Sequence, residues 1–173
     1  MLTIRCTRKL LKYLHAKGPV ESIHPTTGLG DWYANLLFTK RLRLVICVSE
    51  RSLLPVFVEA KDRSSFAIRF REQVRSVLEC VGVPSYAVER ETHEMAQVVL
   101  GVTVSRSVLG SLNDLALLSR FAIEGQSQID LTSLAIEIAD TPCSPIKYAS
   151  PRSMTLALLR DRCKDVSIRR RAP

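Results

Sequence analysis

Three β-branched, apolar runs separated by very short turns constrain this chain more than any other feature. They span residues 32–39, 43–49 and 53–58, joined by Lys40-Arg41-Leu42 and Glu50-Arg51-Ser52. Connections that short join antiparallel neighbours, so the runs predict a three-strand meander. The middle run, Leu44-Val45-Ile46-Cys47-Val48, is apolar on both faces and predicts the buried central strand. Pro55 offers no N–H to a ladder, which places the third strand at an edge or a bulge. A meander of this kind needs helices to cover it.

The strongest covering helix runs from residue 64 to 81, where Phe66, Phe70, Val74, Val77, Leu78 and Val81 repeat at helical spacing and Gly82 follows. Residues 2–5 suit a short strand. Thr7 suits the cap of a helix that buries Leu10, Leu11 and Leu14 and stops at Gly18-Pro19. Pro84 opens a more polar helix to about Met95, and residues 97–104 form a fourth strand. Ser105 or Ser107 caps a helix carrying Val108, Leu109, Leu112, Leu115 and Ala116 inward, with Gly125 beyond its end. Asp130 caps a shorter one, residues 141–145 break the chain, and Ser150-Pro151 begins a last helix. The expected fold is α+β: a small, mainly antiparallel sheet, the meander plus a fourth strand, covered by helices on one face.

With 173 residues, 46% of them apolar, the chain suits a single globular core. Residues 1–163 form the expected domain and 164–173 a basic, disordered tail. The net charge of +8 sits at the ends: +5 over residues 1–17 and +4 over 160–173, leaving 18–159 at −1. Such ends suit electrostatic, sequence-independent contact with a polyanion, or plain solubility. The candidate phosphate contacts are Arg8, Lys9, Lys12, Arg160, Arg162, Arg169, Arg170 and Arg171.

Five widely spaced cysteines (Cys6, Cys47, Cys80, Cys143, Cys163) form no Cys-x-x-Cys pair, so no zinc or redox motif is expected. Cys47 and Cys80 read as buried small hydrophobes. No apolar stretch has the length of a membrane span, and a reducing cytoplasm fits best. Three histidines make no metal case, and no cofactor is expected. Glu89, Glu91 and Glu94 read as a solvated helix face.

Two polar segments stand out, each at the start of a regular element: Gly28-Leu29-Gly30-Asp31-Trp32-Tyr33-Ala34-Asn35 and Arg106-Ser107-Val108-Leu109-Gly110-Ser111-Leu112-Asn113-Asp114. The first lacks the third glycine of a dinucleotide loop and precedes a strand instead of following one, so it reads as a turn in which Asp31 ties down the backbone. Asn35 is a poor strand former, either paired in a network or shown to a ligand. Trp32 and Tyr33 point to opposite faces of their strand; Trp32 reads as a core anchor, with a stacking surface the other option. Arg106 and Ser107 at a helix start suit an anion. Gly110 costs about 1 kcal/mol in a helix relative to alanine, which close approach of another backbone would offset. Asn113 and Asp114 are also poor mid-helix residues, read as a packing network or as ligand contacts. A Cys143, His24 and Asp31 nucleophile arrangement can be drawn, but no spacing requires it; Cys143 reads as a packed turn residue.

Cys6-Thr7-x-Lys9-Leu10-Leu11, the stretch from Pro25 to Asn35, the stretch from Ser105 to Asp114, and Thr141-Pro142-Cys143 together resemble a bacterial family of this length, the DUF6933 type of unknown function. The resemblance covers residues 1 to about 160 and omits the arginine-rich tail. It implies relatives near mobile-element or phage-related functions and carries no activity with it. Three readings follow. The first is a non-enzymatic binding module, nucleic-acid-associated through its ends and holding a protein partner on its body. The second is a small enzyme joining Asp31 and Asn35 with Arg106, Ser107, Asn113 and Asp114. The third makes both segments purely structural.

Overall fold

The computed structural model describes residues 1–16, 24–126 and 128–169, with side chains placed up to Arg160 and at Arg162. The elements are β1 (Leu2–Cys6), α1 (Arg8–Leu14), β2 (Trp32–Phe38), β3 (Arg43–Ser49), β4 (Pro55–Glu59), α2 (Phe66–Val81), α3 (Ser85–Glu94), β5 (Val98–Val102), α4 (Arg106–Glu124), α5 (Leu131–Ala139), a 3-10 turn (Ser144–Ile146) and α6 (Pro151–Arg169). Local chemistry sets most boundaries. Thr7 accepts the Leu10 N–H, Ser105 accepts that of Val108, and Asp130 that of Ser133, each a side chain satisfying an orphan donor of a first turn. Gly82, at φ 91°, closes α2. Helix α1 ends at Leu14 with His15 left-handed; the stop expected at Gly18-Pro19 lies outside the described residues.

The fold is α+β, and its five strands run in the order β4-β3-β2-β1-β5. The meander is present: β2 pairs antiparallel with β3 (Trp32↔Ser49 to Phe38↔Arg43), and β3 with β4. Pro55 opens β4, an edge strand, where its missing N–H is harmless. The remaining half departs from expectation. Strand β1 lies parallel to both β2 (Ile4↔Trp32) and β5 (Leu2↔Val98), so the sheet is mixed instead of mainly antiparallel. The physical reason is the connections: α1 is the helical crossover between the parallel neighbours β1 and β2, and α2 with α3 carry the chain from the β4 edge to the opposite edge, where β5 lies parallel to β1. β3 is interior as expected, but the centre of the sheet is β2.

Helices cover both faces, not one. Trp32 meets Phe70 of α2 edge-on, ring centroids 5.1 Å apart. The next residue, Tyr33, points the other way, where its hydroxyl accepts the N–H of Ser105 at the cap of α4, 3.1 Å. Both are fully buried. The far side of the β3–β4 turn is tied to α6 by a buried hydroxyl chain: Ser49 and Ser52 Oγ lie 2.7 Å apart, and Thr155 Oγ1 donates to Ser52 Oγ at 2.8 Å. Cys6 and Cys47 are core residues, and burial pushes the Cys6 thiol up to about 12. Cys80 is exposed, contrary to expectation, because it falls two residues past Leu78, off the buried stripe of α2. Among the described residues no helix is long and apolar enough to cross a membrane.

Phe70 joins α2 to the sheet through Trp32, so Phe70→Ala should cost about 3–5 kcal/mol of stability, measured as a lower urea midpoint with unchanged slope.

Candidate functional site

The first polar segment is built into the sheet. Asp31 is buried, and its Oδ2 accepts Arg5 Nε at 2.8 Å and lies 2.8 Å from Arg5 Nη2. Its Oδ1 accepts the Thr3 N–H at 3.1 Å. Asp31 and Glu50 exchange backbone contact: the Glu50 N–H donates to the Asp31 carbonyl at 2.8 Å, and the Asp31 N–H reaches Glu50 Oε2 at 3.3 Å. Trp32 is a core anchor; among the described residues its Nε1 is the buried side-chain polar atom without a hydrogen-bond partner. Asn35 Oδ1 accepts the Thr7 hydroxyl at 2.7 Å and so ties β2 to the start of α1.

The preceding loop is held by a residue that sequence reasoning placed on a solvated face. Glu91 of α3 is buried, and its carboxylate accepts the N–H groups of Gly28 (2.6 Å) and Leu29 (2.9 Å). Arg162 of α6 reaches it at 3.4 Å, binds Glu94 at 2.9 Å and also donates to the Thr26 carbonyl. Burial pushes the Glu91 carboxyl up, against the downward pull of the two N–H groups and Arg162. A Cβ on Gly28 would lie 2.8 Å from Leu159 Cδ2 and 3.0 Å from Glu91 Oε2, which is why glycine stands there. A signal was available: Glu91 falls on the buried stripe of α3 with Ala87, Val88 and Thr92.

The second segment faces the other way. Helix α4 buries Val108, Ser111, Leu112, Leu115, Ala116, Ser119 and Ile123, while Arg106, Ser107, Asn113 and Asp114 are exposed. The anticipated close approach at Gly110 is not made: a Cβ there would meet nothing within 4 Å. The exposed stripe continues through Leu117 (53% exposed), Leu118 and Phe121 (66%) to Glu124. Asp31 and Asn35 are thus engaged by Thr3, Arg5 and Thr7 within the sheet, whereas Arg106, Ser107, Asn113 and Asp114 lie on the exposed side of α4.

Beside α4, Asp114 and Leu118 line a half-open groove of about 390 Å³ with residues 141–145 and Tyr148. Two of the segments singled out in the sequence meet here. Lys147 and Tyr148 are both left-handed (φ 56° and 61°), a strained conformation for a bulky residue, and it holds the Tyr148 ring in solvent at the rim. Cys143 is a packed turn residue whose Sγ donates to the Thr141 carbonyl at 3.5 Å; burial and the charge of Asp114 raise its pKa. A nucleophile needs the opposite shift, and Asp31 is committed to Arg5, so the Cys143–His24–Asp31 arrangement is not formed.

The basic residues are divided. Arg8, Lys9 and Lys12 are exposed on α1, which packs on β1, β2 and β5; α6, with exposed Arg160, packs on α3 and α5. Arg162 is engaged by carboxylates, the side chain of Arg169 is not described, and Arg170 and Arg171 lie outside the described residues. Among the described residues no three His, Cys, Asp or Glu side chains gather as a metal site.

The chain belongs to the family described as Domain of unknown function (DUF6933), whose model matches residues 3–154. That span holds both polar segments and the Thr141-Pro142-Cys143 turn, and leaves out the arginine-rich tail. No curated protein and no solved structure matches the chain.

The two segments should respond oppositely to substitution. Asp31→Ala strands the buried Arg5 guanidinium and should cost about 3–5 kcal/mol, whereas Gly110→Ala should raise stability by up to about 1 kcal/mol, both measured by chemical denaturation. Glu91 titrates at higher pH folded than unfolded, so its neutral form is favoured in the native state. Its contribution is therefore greatest below the unfolded pKa and declines as pH rises through the folded one. The stability of wild type relative to Glu91→Gln, which stays neutral throughout, should fall from pH 4 to pH 7.

Proposed function

Starting from membership in that family, we propose that this protein is a non-enzymatic binding module whose contact surface for a protein partner is the outer face of α4 flanked by Tyr148. One observation carries the reading. Gly110, Asn113 and Asp114 all weaken a helix, and nothing among the described residues offsets them: Gly110 has open space beside it and the other two face solvent. Residues that break local rules without an internal gain point to a gain outside the chain. The same stripe exposes Leu117, Leu118 and Phe121, an apolar band rimmed by polar groups, the composition of a docking face.

The enzyme reading loses its support, since Asp31 and Asn35 serve the sheet while the α4 residues face away from them. The nucleic-acid reading keeps one favourable observation, the exposed Arg8, Lys9 and Lys12, which form no ion pair among the described residues. It accounts for none of the α4 residues.

A photo-crosslinking phenylalanine analogue at position 121, compared with one at the exposed Ile68 of α2, tests the reading in cells producing the full chain. Discrete protein adducts at 121 and none at 68 are expected. No adduct at 121, or equal adducts at both, would remove α4 as the contact surface.

A further inference from the structure

We infer that the occupant of the α4 face is a second copy of this chain, packed antiparallel across a two-fold axis near the middle of the helix; the inference rests on the binding reading above and names its partner. The evidence is self-complementarity along one stripe. Arg106, Gly110, Asn113, Leu117, Phe121 and Glu124 follow one another at three- or four-residue steps, so they share a single exposed line. At one end stands a cation, Arg106, and at the other an anion, Glu124. Reversing a second copy end to end brings each Arg106 over the other's Glu124, which is what an isologous interface requires.

The steric pattern agrees with the charges. In the register that sets Gly110 opposite Phe121 of the second copy, Arg106 stands one residue, about 1.5 Å of rise, from direct opposition to Glu124. Phe121, the most exposed large apolar side chain of α4 at 66%, then enters the space where Gly110 has no neighbour within 4 Å. Two such insertions form, one at each end of the contact. Between them Leu117 covers the Asn113–Asp114 step, and Arg120 and Asp114 come within reach across the axis. A missing Cβ lets two helices approach at the close end of the usual 8–10 Å range. Helix α4 has 19 residues, about 28 Å of contact line. An unrelated partner has no reason to match a charge arrangement that changes sign when the two ends are exchanged; a reversed second copy matches it automatically.

Light scattering after gel filtration of the full chain over a concentration series tests this. The expected mass is twice that of one chain, falling toward one chain on dilution. Phe121→Glu and Gly110→Leu should each weaken the dimer at least thirtyfold, roughly the effect of losing a central anchor. Neither should lower the melting temperature of the isolated chain, since both positions are exposed. Arg106→Glu and Glu124→Arg should each weaken it about tenfold, and the double exchange should restore it. A single-chain mass at every concentration would overturn the inference. So would a dimer indifferent to Phe121→Glu and Gly110→Leu, or a double exchange no better than the single ones. The two levels fail separately: a monomer that still crosslinks a different protein at position 121 removes the second copy alone, and a monomer with no adduct there removes both.

Discussion

The buried ion pair between Arg5 and Asp31 is the constraint on which the sheet depends. Strands β2, β3 and β4 are joined by tight turns, and those turns set their register directly. Strand β1 has no turn linking it to either neighbour; it enters between β2 and β5 through helical crossovers. Its register has to come from side chains. Asp31 supplies it by holding the Arg5 guanidinium with one oxygen and the Thr3 N–H with the other, just where β2 begins. A register slip would leave two buried charges unpaired, which is far worse than an imperfect apolar contact. The same carboxylate's backbone is clasped to Glu50, so the brace reaches the turn after β3.

A second carboxylate does for the periphery what Asp31 does for the sheet. Glu91 caps two N–H groups of the loop that delivers the chain to Asp31, and Arg162 of α6 closes over it. Loop, α3 and α6 are thereby joined at one point, and Gly28 stands there because no side chain fits between Glu91 and Leu159. Both halves of the first polar segment are thus explained within the chain: Gly28 by crowding, Asp31 and Asn35 by hydrogen bonds that connect β1, β2 and α1.

The second segment contrasts with it at every point. Its inner residues are ordinary core, while Gly110, Asn113 and Asp114 lie on a face where the described residues provide no partner. Below it, the Thr141-Pro142-Cys143 turn leads into a loop whose two left-handed residues hold Tyr148 outward next to Asp114 and Leu118. Three separate unfavourable local choices, an open glycine, exposed amide and acid in mid-helix, and a strained exposed tyrosine, converge on one side of the molecule. That convergence is the observation on which the proposed contact surface rests.

The order of elements, the caps Thr7 and Asp130, a cap at Ser105 or Ser107, the stop at Gly82, an edge or bulge at Pro55 and the inward stripe of α2 were all legible in the sequence, because each depends on residues within a turn or two of each other. What the sequence could not carry is orientation across distance. Nothing in the composition of residues 2–6 distinguishes an outer strand from a parallel one inserted between β2 and β5, so the expected antiparallel sheet became a mixed one. Burial of Arg5 was equally hidden, since a charged residue reads as solvated until its partner, here Asp31, is brought to it from far along the chain; for Glu91 the stripe of α3 gave the face, and only the fold gave the Gly28 and Leu29 N–H groups it holds. The two polar segments looked alike in sequence, each mixing glycine, acid and amide. Only packing decided that one lies inside the sheet, paired and satisfied, and the other on the outer side of α4, because which face of a helix meets the core depends on every element packed beneath it.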